Sequence, residues 1–434
     1  MPLNREPVIS VGIVVGPVIR FQLKGKFWLN NQIIHEGDYN AEVYENIIHT
    51  GFAGHSEIEL LPADSTSTFI LNHVKIGIGF HWEQYENQEF EGGLKLQLEN
   101  GKIRAVNIIA LESYLKSVIS SEMSAMNDLN LLKAHAIVSR SWLMAQLMRT
   151  AAQATAPQTQ NVQGEIIKWY DREDHDSFDV CADDHCQRYQ GISKLISKNA
   201  EEAVNASRGK FLMYNNQICD ARFSKCCGGV TEAFENVWQP EKIPYLTSVR
   251  DSDANQLSES IVIDNGYFNT PPEAYCHTSV PEILKQVLID FDQKTTNFFR
   301  WEVILLQDEL HALLKKKSGI DFGAIIDLIP VERGFSGRII KLKIVGTKQT
   351  VVVGKELEIR KWLSETHLYS SAFEVAKELK PSSDFPVMFK LTGAGWGHGV
   401  GMCQIGAAVM SRKGFSVKEI LQHYFKGTVV DKLY

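Results

Sequence analysis

Residues 393–407 read Gly-Ala-Gly-Trp-Gly-His-Gly-Val-Gly-Met-Cys-Gln-Ile-Gly-Ala. Glycine alternates with other residues through the first part of this stretch, although each interior glycine of a helix or strand costs about 0.5–1 kcal/mol relative to alanine. A chain carries that cost where its backbone turns with positive φ or approaches another group closely. The stretch has neither the G-x-G-x-x-G order nor the Gly-Lys-Ser/Thr of phosphate-binding loops. Because Trp396, His398 and Gln404 are not linker residues, the pattern favours a site-forming loop.

The composition of the chain is that of a globular protein. It has 434 residues, 44% hydrophobic and 22% charged, enough for two or three domains. The net charge of −7 disfavours a nucleic-acid partner or an anionic membrane surface, because basic surfaces recognise both. No apolar run reaches the roughly 18 residues of a membrane-spanning helix. The apolar segment 8–19 contains glycine and proline and lacks a small-residue cleavage site, so we interpret it as a first strand rather than a signal peptide.

The hydrophobic pattern changes along the chain. Short segments rich in β-branched residues and separated by turns predict mostly β-structure over residues 8–107. Apolar residues then recur at helical spacing from Leu111 to Val118 and predict a helix whose apolar face ends at Glu122. Further helices are predicted at residues 281–290 and 307–317, and a strand pair at 338–345 and 349–353.

Seven cysteines, an odd number in a long chain, favour metal binding or reduced thiols over a disulfide framework. His175, Cys181 and Cys186 form a plausible metal half-site, because imidazole and thiolates at short loop spacing suit tetrahedral zinc. Either His185 or the pair Cys226-Cys227 would supply a fourth ligand. The alternative is a set of reduced cysteines that pack as small hydrophobic residues.

The glycine-rich stretch closely resembles a signature near the C-terminus of the SpoIID/LytB family, bacterial cell-wall proteins that include the sporulation lytic transglycosylase. The family pattern reads approximately G-x-G-W-G-H-G-V-G-M-S-Q-Y-G-A. This chain departs from the pattern at Cys403, where serine is usual, and at Ile405, where an aromatic residue is usual. Further stretches that resemble family motifs lie at residues 113–123, 132–142, 227–232, 244–246, 333–338 and 358–360. The resemblance therefore covers roughly residues 100–434.

Together the resemblance and the element pattern predict an α+β protein. We expect a β-rich N-terminal region over residues 1–100, followed by a mixed α/β SpoIID-like catalytic region. The first part of that catalytic core would occupy residues 101–254 and include the helix ending at Glu122 and the Cys/His region. An inserted subdomain would span residues 255–385. The second part of the core, residues 386–434, would contain the glycine-rich loop and a C-terminal helix.

Glu122 is the predicted catalytic acid. It lies at the edge of an apolar helix face, where desolvation would raise the pKa of its carboxyl group and keep it protonated near neutral pH. In the family the matching position is the acid of a lytic transglycosylase, which cleaves MurNAc–GlcNAc bonds while the 6-hydroxyl of the substrate attacks and forms a 1,6-anhydro product. The alternative is a structural glutamate at a helix end. Arg140 lies mid-helix among apolar residues, and we expect it to hold loop carbonyls or another carboxylate rather than substrate.

The resemblance also implies roles for polar residues around the glycine-rich loop. The predicted substrate-binding residues are Trp396, His398, Gln404, Gly397, Gly399 and Ser224. The tryptophan would stack on a sugar face, and the histidine would orient substrate or pin the loop. The bare glycine backbone would let a glycan strand lie close, while the glutamine and the serine would hydrogen-bond to hydroxyls or acetamides. Some family members carry a zinc site formed by a comparable histidine and two cysteines, which implies structural zinc at His175, Cys181 and Cys186.

These features predict a peptidoglycan lytic transglycosylase whose partners are glycan strands, peptide-free by analogy with the sporulation enzymes, or muropeptides. The first alternative is a non-catalytic enhancer of a cell-wall amidase, which would then be the partner. The second is a zinc-dependent hydrolase, in which His175, Cys181 and Cys186 would activate water. We expect the protein in the cell envelope or periplasm if an export signal was removed, and otherwise in the cytoplasm.

Overall fold

The computed structural model of the protein describes residues 5–78, 83–123, 128–149, 160–162, 164–169, 175–183, 186–194, 198–253, 267–288, 297–379 and 384–434. The chain forms two compact units: the first comprises residues 1–140, 172–211 and 431–434, and the second comprises residues 141–171 and 212–430. Several sheets and separate helices build both units, which confirms the predicted α+β class. The four-segment division of the chain stays a prediction.

The strands within the described ranges are β1 (Val8–Gly16), β2 (Val18–Lys24), β3 (Phe27–Leu29), β4 (Gln32–Ile34), β5 (Gly37–Tyr44), β6 (Ile47–His49), β7 (Gly54–His55), β8 (Glu57–Pro62), β9 (Thr68–Ile76), β10 (Gln84–Glu91), β11 (Gly93–Glu99), β12 (Lys102–Ala110), β13 (Gln160–Val162), β14 (Glu165–Ile167), β15 (Val180–Cys181), β16 (Lys210–Tyr214), β17 (Gln217–Ile218), β18 (Phe223–Ser224), β19 (Arg300–Leu306), β20 (Ile325–Arg333), β21 (Ile339–Gly346), β22 (Thr350–Gly354), β23 (Phe373–Leu379), β24 (Pro386–Ala394), β25 (Met402–Cys403) and β26 (Val429–Lys432).

The helices in the same ranges are α1 (Leu111–Glu122), α2 (Leu129–Leu147), α3 (Lys198–Ala206), α4 (Phe234–Val237), α5 (Pro281–Val287), α6 (Gln307–Ser318), α7 (Glu356–Trp362), α8 (Gln404–Arg412) and α9 (Val417–Tyr424), with a 3₁₀ turn at Gly191–Lys194. None of these helices combines the length and the apolarity needed to cross a membrane.

Two sheets form the framework of the first unit. One has seven strands in the order β15-β1-β12-β11-β8-β3-β4, and the other has six in the order β10-β9-β2-β5-β6-β7. Strand β2 illustrates why they form: Ile19, Phe21 and Leu23 are buried while the residues between them face outward, the period of a strand with one face in a core. The apolar segment 8–19 is thus part of the sheet framework, as predicted for a first strand.

Strand β1 positions the segment that carries the candidate metal ligands. It pairs antiparallel with β12, which leads directly into α1, and on its other side it pairs parallel with β15 through Gly12↔Cys181. A Cβ at Gly12 would lie 2.7 Å from the ring of Phe178, so only glycine leaves room for this ring beside the strand. Residues from the middle of the chain are thereby held against the first strand and next to α1.

The second unit has a five-stranded sheet in the order β13-β14-β22-β21-β20 and a three-stranded sheet in the order β19-β24-β23. One buried cluster connects their apolar faces with α6 and α7, and its members include Trp301, Leu310, Leu342, Ile359 and Phe389. The glycine-rich loop leaves the end of β24 and returns to the core through β25, which pairs parallel with β18. Packed elements therefore fix both ends of the loop.

Candidate functional site

Glu122 is the last residue of α1 in the first unit. The buried side of this helix carries Leu111, Leu115 and Val118, each with no exposed surface, so packing fixes the helix as predicted from its spacing. Glu122 is half-buried, and its Oε1 accepts a hydrogen bond of 3.0 Å from the backbone N–H of Arg188. The predicted acid is thus partly accessible and is held by a backbone donor.

A second acid on α1 has a different environment. Glu112 is buried and accepts two hydrogen bonds from the guanidinium of Arg140, at 2.6 and 3.0 Å, and one of 2.6 Å from the hydroxyl of Tyr434. Burial acts to raise the pKa of Glu112, but the bonds from Arg140 and Tyr434 outweigh it and hold the pKa below the usual value. Arg140 also donates to the carbonyl of Lys210 at 3.1 Å. The structural role predicted for Arg140 is confirmed, and its carboxylate partner is Glu112.

His175, Cys181 and Cys186 come together in the first unit. Their ligand atoms all lie within 4.8 Å of one another, with 3.5 Å between Nε2 of His175 and Sγ of Cys186. All three side chains are partly exposed, and the ring of His175 stacks on Phe178 at 4.4 Å. One imidazole nitrogen and two sulfurs at this separation suit the coordination sphere of zinc. His185, a candidate fourth ligand, lies outside the described residues.

The loop that carries these ligands also reaches Glu122. The backbone N–H of Cys186 bonds to the carbonyl of Asp183, and the N–H of Tyr189 bonds to the carbonyl of Ala182, both at 3.0 Å. Arg188, the hydrogen-bond donor to Glu122, lies between the two donors Cys186 and Tyr189. The candidate metal ligands and the candidate acid are therefore connected through one short, hydrogen-bonded turn.

Tyr114 of α1 lies among these groups. It is fully buried and donates a hydrogen bond of 3.4 Å to Oε1 of Gln187. Burial raises the pKa of Tyr114 well above its usual value, and the nearby charges of Cys186, Cys181 and Glu122 raise it further. Tyr114 is thus a neutral hydrogen-bond donor beside the candidate site.

In the second unit, the glycine-rich loop has the backbone that its composition predicts. The four glycines at 395, 397, 399 and 401 have φ values of 75°, 88°, 77° and 76°. A Cβ at Gly399 would overlap the guanidinium of Arg338, whereas at Gly397 the nearest atom would be Cβ of Ser224 at 3.5 Å. The expectation of positive φ or steric exclusion at Gly397 and Gly399 is confirmed, so the stretch is a fixed loop and not a linker.

Arg338 is the main tether of this loop. Its side chain is buried, and it donates to the carbonyl of Gly397 at 3.0 Å and to the carbonyl of Cys227 at 3.2 Å. Trp396 and Cys226 exchange backbone hydrogen bonds of 2.8 and 3.2 Å. These contacts join the motif at 333–338 to two other motifs of the sequence, the block at 227–232 and the glycine-rich loop.

The predicted substrate-binding side chains differ in accessibility. Gln404 and Ser224 are buried, with 1% and 6% of their surface exposed. Trp396 and His398 stay half-buried, and the indole ring stacks on Phe298 at 4.5 Å. The partly exposed side of the loop, which carries Trp396 and His398, is therefore the side that a ligand would meet.

His398 pins the loop from within. Its Nδ1 accepts the backbone N–H of Val400 at 3.0 Å, and its ring meets Trp238 edge-on at 5.2 Å. Burial, followed by the charges of Arg222 and Arg338, lowers the pKa of His398 well below the usual value. A neutral imidazole that accepts a hydrogen bond from the backbone supports the loop-pinning interpretation of this residue.

A second cysteine cluster was not predicted from the sequence. Cys227 lies with Cys276, Cys403 and Asp251, and the ligand atoms of these four residues are all within 4.8 Å of one another. The suggestion that Cys226-Cys227 completes the site of His175 is therefore wrong for Cys227, because strand pairing and loop packing bring its sulfur to a different set of ligands. The members are separated by 24 to 127 residues along the chain. Close spacing, which revealed the first cluster, thus offered no signal for the second.

Comparisons with known proteins find two family profiles that match different ranges of this chain. Residues 99–214 match the profile of the Stage II sporulation protein family (SpoIID), and residues 232–401 match a domain of unknown function, DUF8618. Stage II sporulation protein D of Bacillus subtilis is 26% identical over 334 residues, 76% of this chain and 76% of that protein. The amidase enhancer of Bacillus subtilis is 25% identical over 328 residues, 73% of this chain, and the match spans only 40% of the enhancer's own length. An uncharacterized protein of Brachyspira hyodysenteriae is 25% identical over 344 residues, 79% of this chain and 73% of that protein.

Proposed function

We propose that this chain, a member of the SpoIID family, cleaves the glycan strands of bacterial peptidoglycan as a lytic transglycosylase, with Glu122 as its acid and base. The observation that carries the proposal is the position of Glu122 at the end of α1, half-buried and bound to the N–H of Arg188. The substrate lies in the cell envelope, so the proposal also places the activity there.

The hydrogen bond from Arg188 prepares Glu122 to give up a proton. A protonated carboxyl group has one carbonyl oxygen, which accepts, and one hydroxyl, which donates. Because Oε1 of Glu122 accepts the backbone N–H, the proton is favoured on Oε2. Oε2 is then the atom that protonates the glycosidic oxygen between MurNAc and GlcNAc as that bond breaks.

The same carboxylate completes the reaction. After proton transfer, Glu122 is ionised and takes the proton of the 6-hydroxyl of MurNAc as that oxygen bonds to C1 of the same sugar. The product is a 1,6-anhydro end, the proton is returned to Glu122, and no water is added. One carboxyl group therefore suffices, in contrast to the two carboxylates of hydrolytic glycosidases.

His175, Cys181 and Cys186 fit a zinc ion, since their nitrogen and sulfur atoms are within 4.8 Å of one another. Zinc there would supply a structural cross-link. Cys186 lies in the turn that presents the N–H of Arg188, and Cys181 directly precedes that turn, so a metal held by them and His175 would help to hold that donor against Glu122.

A second candidate function is the enhancement of a cell-wall amidase without glycan cleavage. The observation in its favour is the similarity to the amidase enhancer, 25% identity over 73% of this chain. In that function the surface of the chain, rather than Glu122, would carry the activity.

Purified peptide-free glycan strands and mass spectrometry of the products test the proposal. Wild-type protein should release anhydro ends, and Glu122→Gln should lose about 10²–10⁴-fold in rate, because the amide cannot exchange a proton. Glu201→Gln is the matched control, since Glu201 is an exposed acid paired with Lys116 of α1 at 2.8 Å. This control should keep wild-type turnover.

Other outcomes would reject the transglycosylase. Three results together would identify a zinc-dependent hydrolase: the products carry an added water, the activity is lost on chelation, and Glu122→Gln is still active. Absence of cleavage by wild type, together with stimulation of an amidase by both wild type and Glu122→Gln, would identify an enhancer.

A further inference from the structure

The second unit contains a buried group of metal-binding side chains that the proposed reaction does not use. Cys227, Asp251, Cys276 and Cys403 are each at most 1% exposed, and their ligand atoms are all within 4.8 Å of one another. The sulfur atoms of Cys227 and Cys276 are 3.6 Å apart. This distance is too long for a disulfide bond and close to the separation of two sulfurs on one tetrahedral metal ion, about 3.8 Å for Zn–S bonds of about 2.3 Å.

The geometry points to a structural Zn²⁺ site, formed by the sulfurs of Cys227, Cys276 and Cys403 and one carboxylate oxygen of Asp251. Soft thiolates select zinc over the harder divalent ions, and four protein ligands without solvent access are typical of a closed structural site. Binding releases one proton from each thiol that is protonated beforehand. This site is separate from that of His175 and independent of the proposed reaction.

Cys403 is prepared to act as a thiolate ligand. It is the N-cap of α8, and its sulfur accepts the backbone N–H of Gly406 at 3.4 Å and that of Cys227 at 3.2 Å. Two N–H donors and the positive end of a helix dipole favour a negative sulfur. The thiolate form that a metal requires is therefore stabilised by the backbone around it.

Neighbouring hydrogen bonds orient the carboxylate. Oδ1 of Asp251 accepts a hydrogen bond of 2.6 Å from the hydroxyl of Tyr424, and Oδ2 accepts one of 2.8 Å from the backbone N–H of Cys276. A Cβ at Gly406 would overlap both oxygens, so α8 approaches Asp251 as closely as its backbone allows. Such hydrogen bonds to a ligating carboxylate are the usual outer support of a metal ligand.

Positive charge next to the cluster offsets its thiolates. Arg338 donates to the carbonyl of Cys227 at 3.2 Å, and Arg300 donates to the carbonyl of Gly228 at 3.0 Å. Zinc with three thiolates and one carboxylate has a net charge of −2, and two guanidinium groups on adjacent carbonyls reduce the cost of burying it. The site thus has ligands, orientation and charge balance in one place.

The metal would lock the glycine-rich loop. Cys403 ends that loop in strand β25, which pairs with β18. Its partner in that pairing is Ser224, which precedes Cys227 by three residues. Asp251 and Cys276 belong to two further segments of the unit. One ion would therefore cross-link four separate stretches of chain and fix the end of the loop whose other end continues β24.

Metal content and X-ray absorption at the zinc edge test the site in full-length protein expressed with zinc and purified with reductant. The variant Cys181→Ser/Cys186→Ser removes the thiolates of the first cluster, so its remaining metal reports the buried cluster alone. We expect about one zinc per chain in this variant, with three sulfurs at about 2.3 Å and one oxygen at about 2.0–2.2 Å. Absence of zinc, or a coordination sphere without sulfur, would overturn the proposal.

Substitutions in the same background assign the ligands. Cys403→Ser keeps a good N-cap that accepts the same N–H groups, so it should fold and lose the remaining zinc. Asp251→Asn keeps the shape of the side chain and should release zinc at a chelator concentration at least about tenfold lower. Cys219→Ser, a buried cysteine outside the cluster, should keep its zinc. Zinc retention in Cys403→Ser, or a Cys227–Cys276 disulfide found by mass spectrometry of the wild-type protein, would refute the site.

Discussion

Replacing Glu112 by glutamine should destabilise the first unit far more than the same change at Glu122, although both residues belong to α1. Glu112 accepts the forked guanidinium of Arg140, which is 0% exposed, and also the hydroxyl of Tyr434. The amide of glutamine leaves this buried cation without its counter-charge. Breaking a buried ion pair in this way costs about 3–5 kcal/mol in the free energy of unfolding.

Differential scanning calorimetry of the full-length chain measures the effect. For a unit of about 180 residues, each kcal/mol shifts the melting temperature by about 2–4 °C, so Glu112→Gln should lower it by about 6–20 °C. Glu122→Gln keeps an acceptor for the N–H of Arg188 and should stay within about 3 °C of wild type. A double variant, Glu112→Met/Arg140→Met, should be more stable than Glu112→Gln, because it buries no unpaired charge.

The pH dependence gives the sign of the effect. The pKa of folded Glu112 lies below the usual value of 4.5, so the unfolded state binds the proton more strongly. The stabilisation by Glu112 is therefore fully present above pH 4.5 and is lost as the pH falls through the folded pKa. The difference in stability between wild type and Glu112→Gln should shrink in that acidic range. Equal stability of the two proteins at pH 7 would refute the assignment of a structural ion pair.

Three further outcomes are expected. Tyr434→Phe removes one hydrogen bond to the buried carboxylate and should cost about 1.5–3 kcal/mol in urea unfolding; a loss below 0.5 kcal/mol, the usual scatter of surface changes, would contradict that bond. Gly397→Ala should lower the free energy of unfolding by about 1–3 kcal/mol through backbone strain, and Gly401→Ala should lower it further, because only at position 401 would the new Cβ overlap a backbone atom. Equal losses of the two variants in urea unfolding would show that the loop relaxes freely. Cys181→Ser/Cys186→Ser should lose about one zinc per chain relative to wild type by elemental analysis, and full retention would remove that site.

The local elements could be predicted from the sequence because their signals are periodic. The helix predicted from Leu111 onward is α1, and the strand pair predicted at 338–345 and 349–353 matches β21 and β22 within one residue at each end. By contrast, strands of two or three residues, such as β3 and β7, are too short to show a period. The order of strands in the sheets was not predictable either, since β15 joins β1 across more than 160 residues of chain.

The candidate site was predicted only where the chemistry is local. Alternating glycines predicted positive φ in the loop, because glycine adopts that backbone without the steric cost that a side chain adds. A carboxylate partner was expected for Arg140 because a buried guanidinium needs one. Its identity as Glu112 depends on the tertiary contacts that bring the start of α1 to Arg140, which residue types alone do not encode.

The two cysteine clusters show where sequence reasoning reaches its limit. The first is readable because its members lie within twelve consecutive residues, 175–186. The second depends on the parallel pairing of β18 with β25, which places Cys403 near Cys227 although 176 residues separate them. One local sign was nevertheless present: cysteine stands at position 403 where the resembling pattern has serine. Serine would accept the same backbone N–H groups as an N-cap, so capping alone does not require sulfur. Cysteine at position 403 therefore keeps the N-cap of α8 and also offers a thiolate, which the proposed zinc site requires.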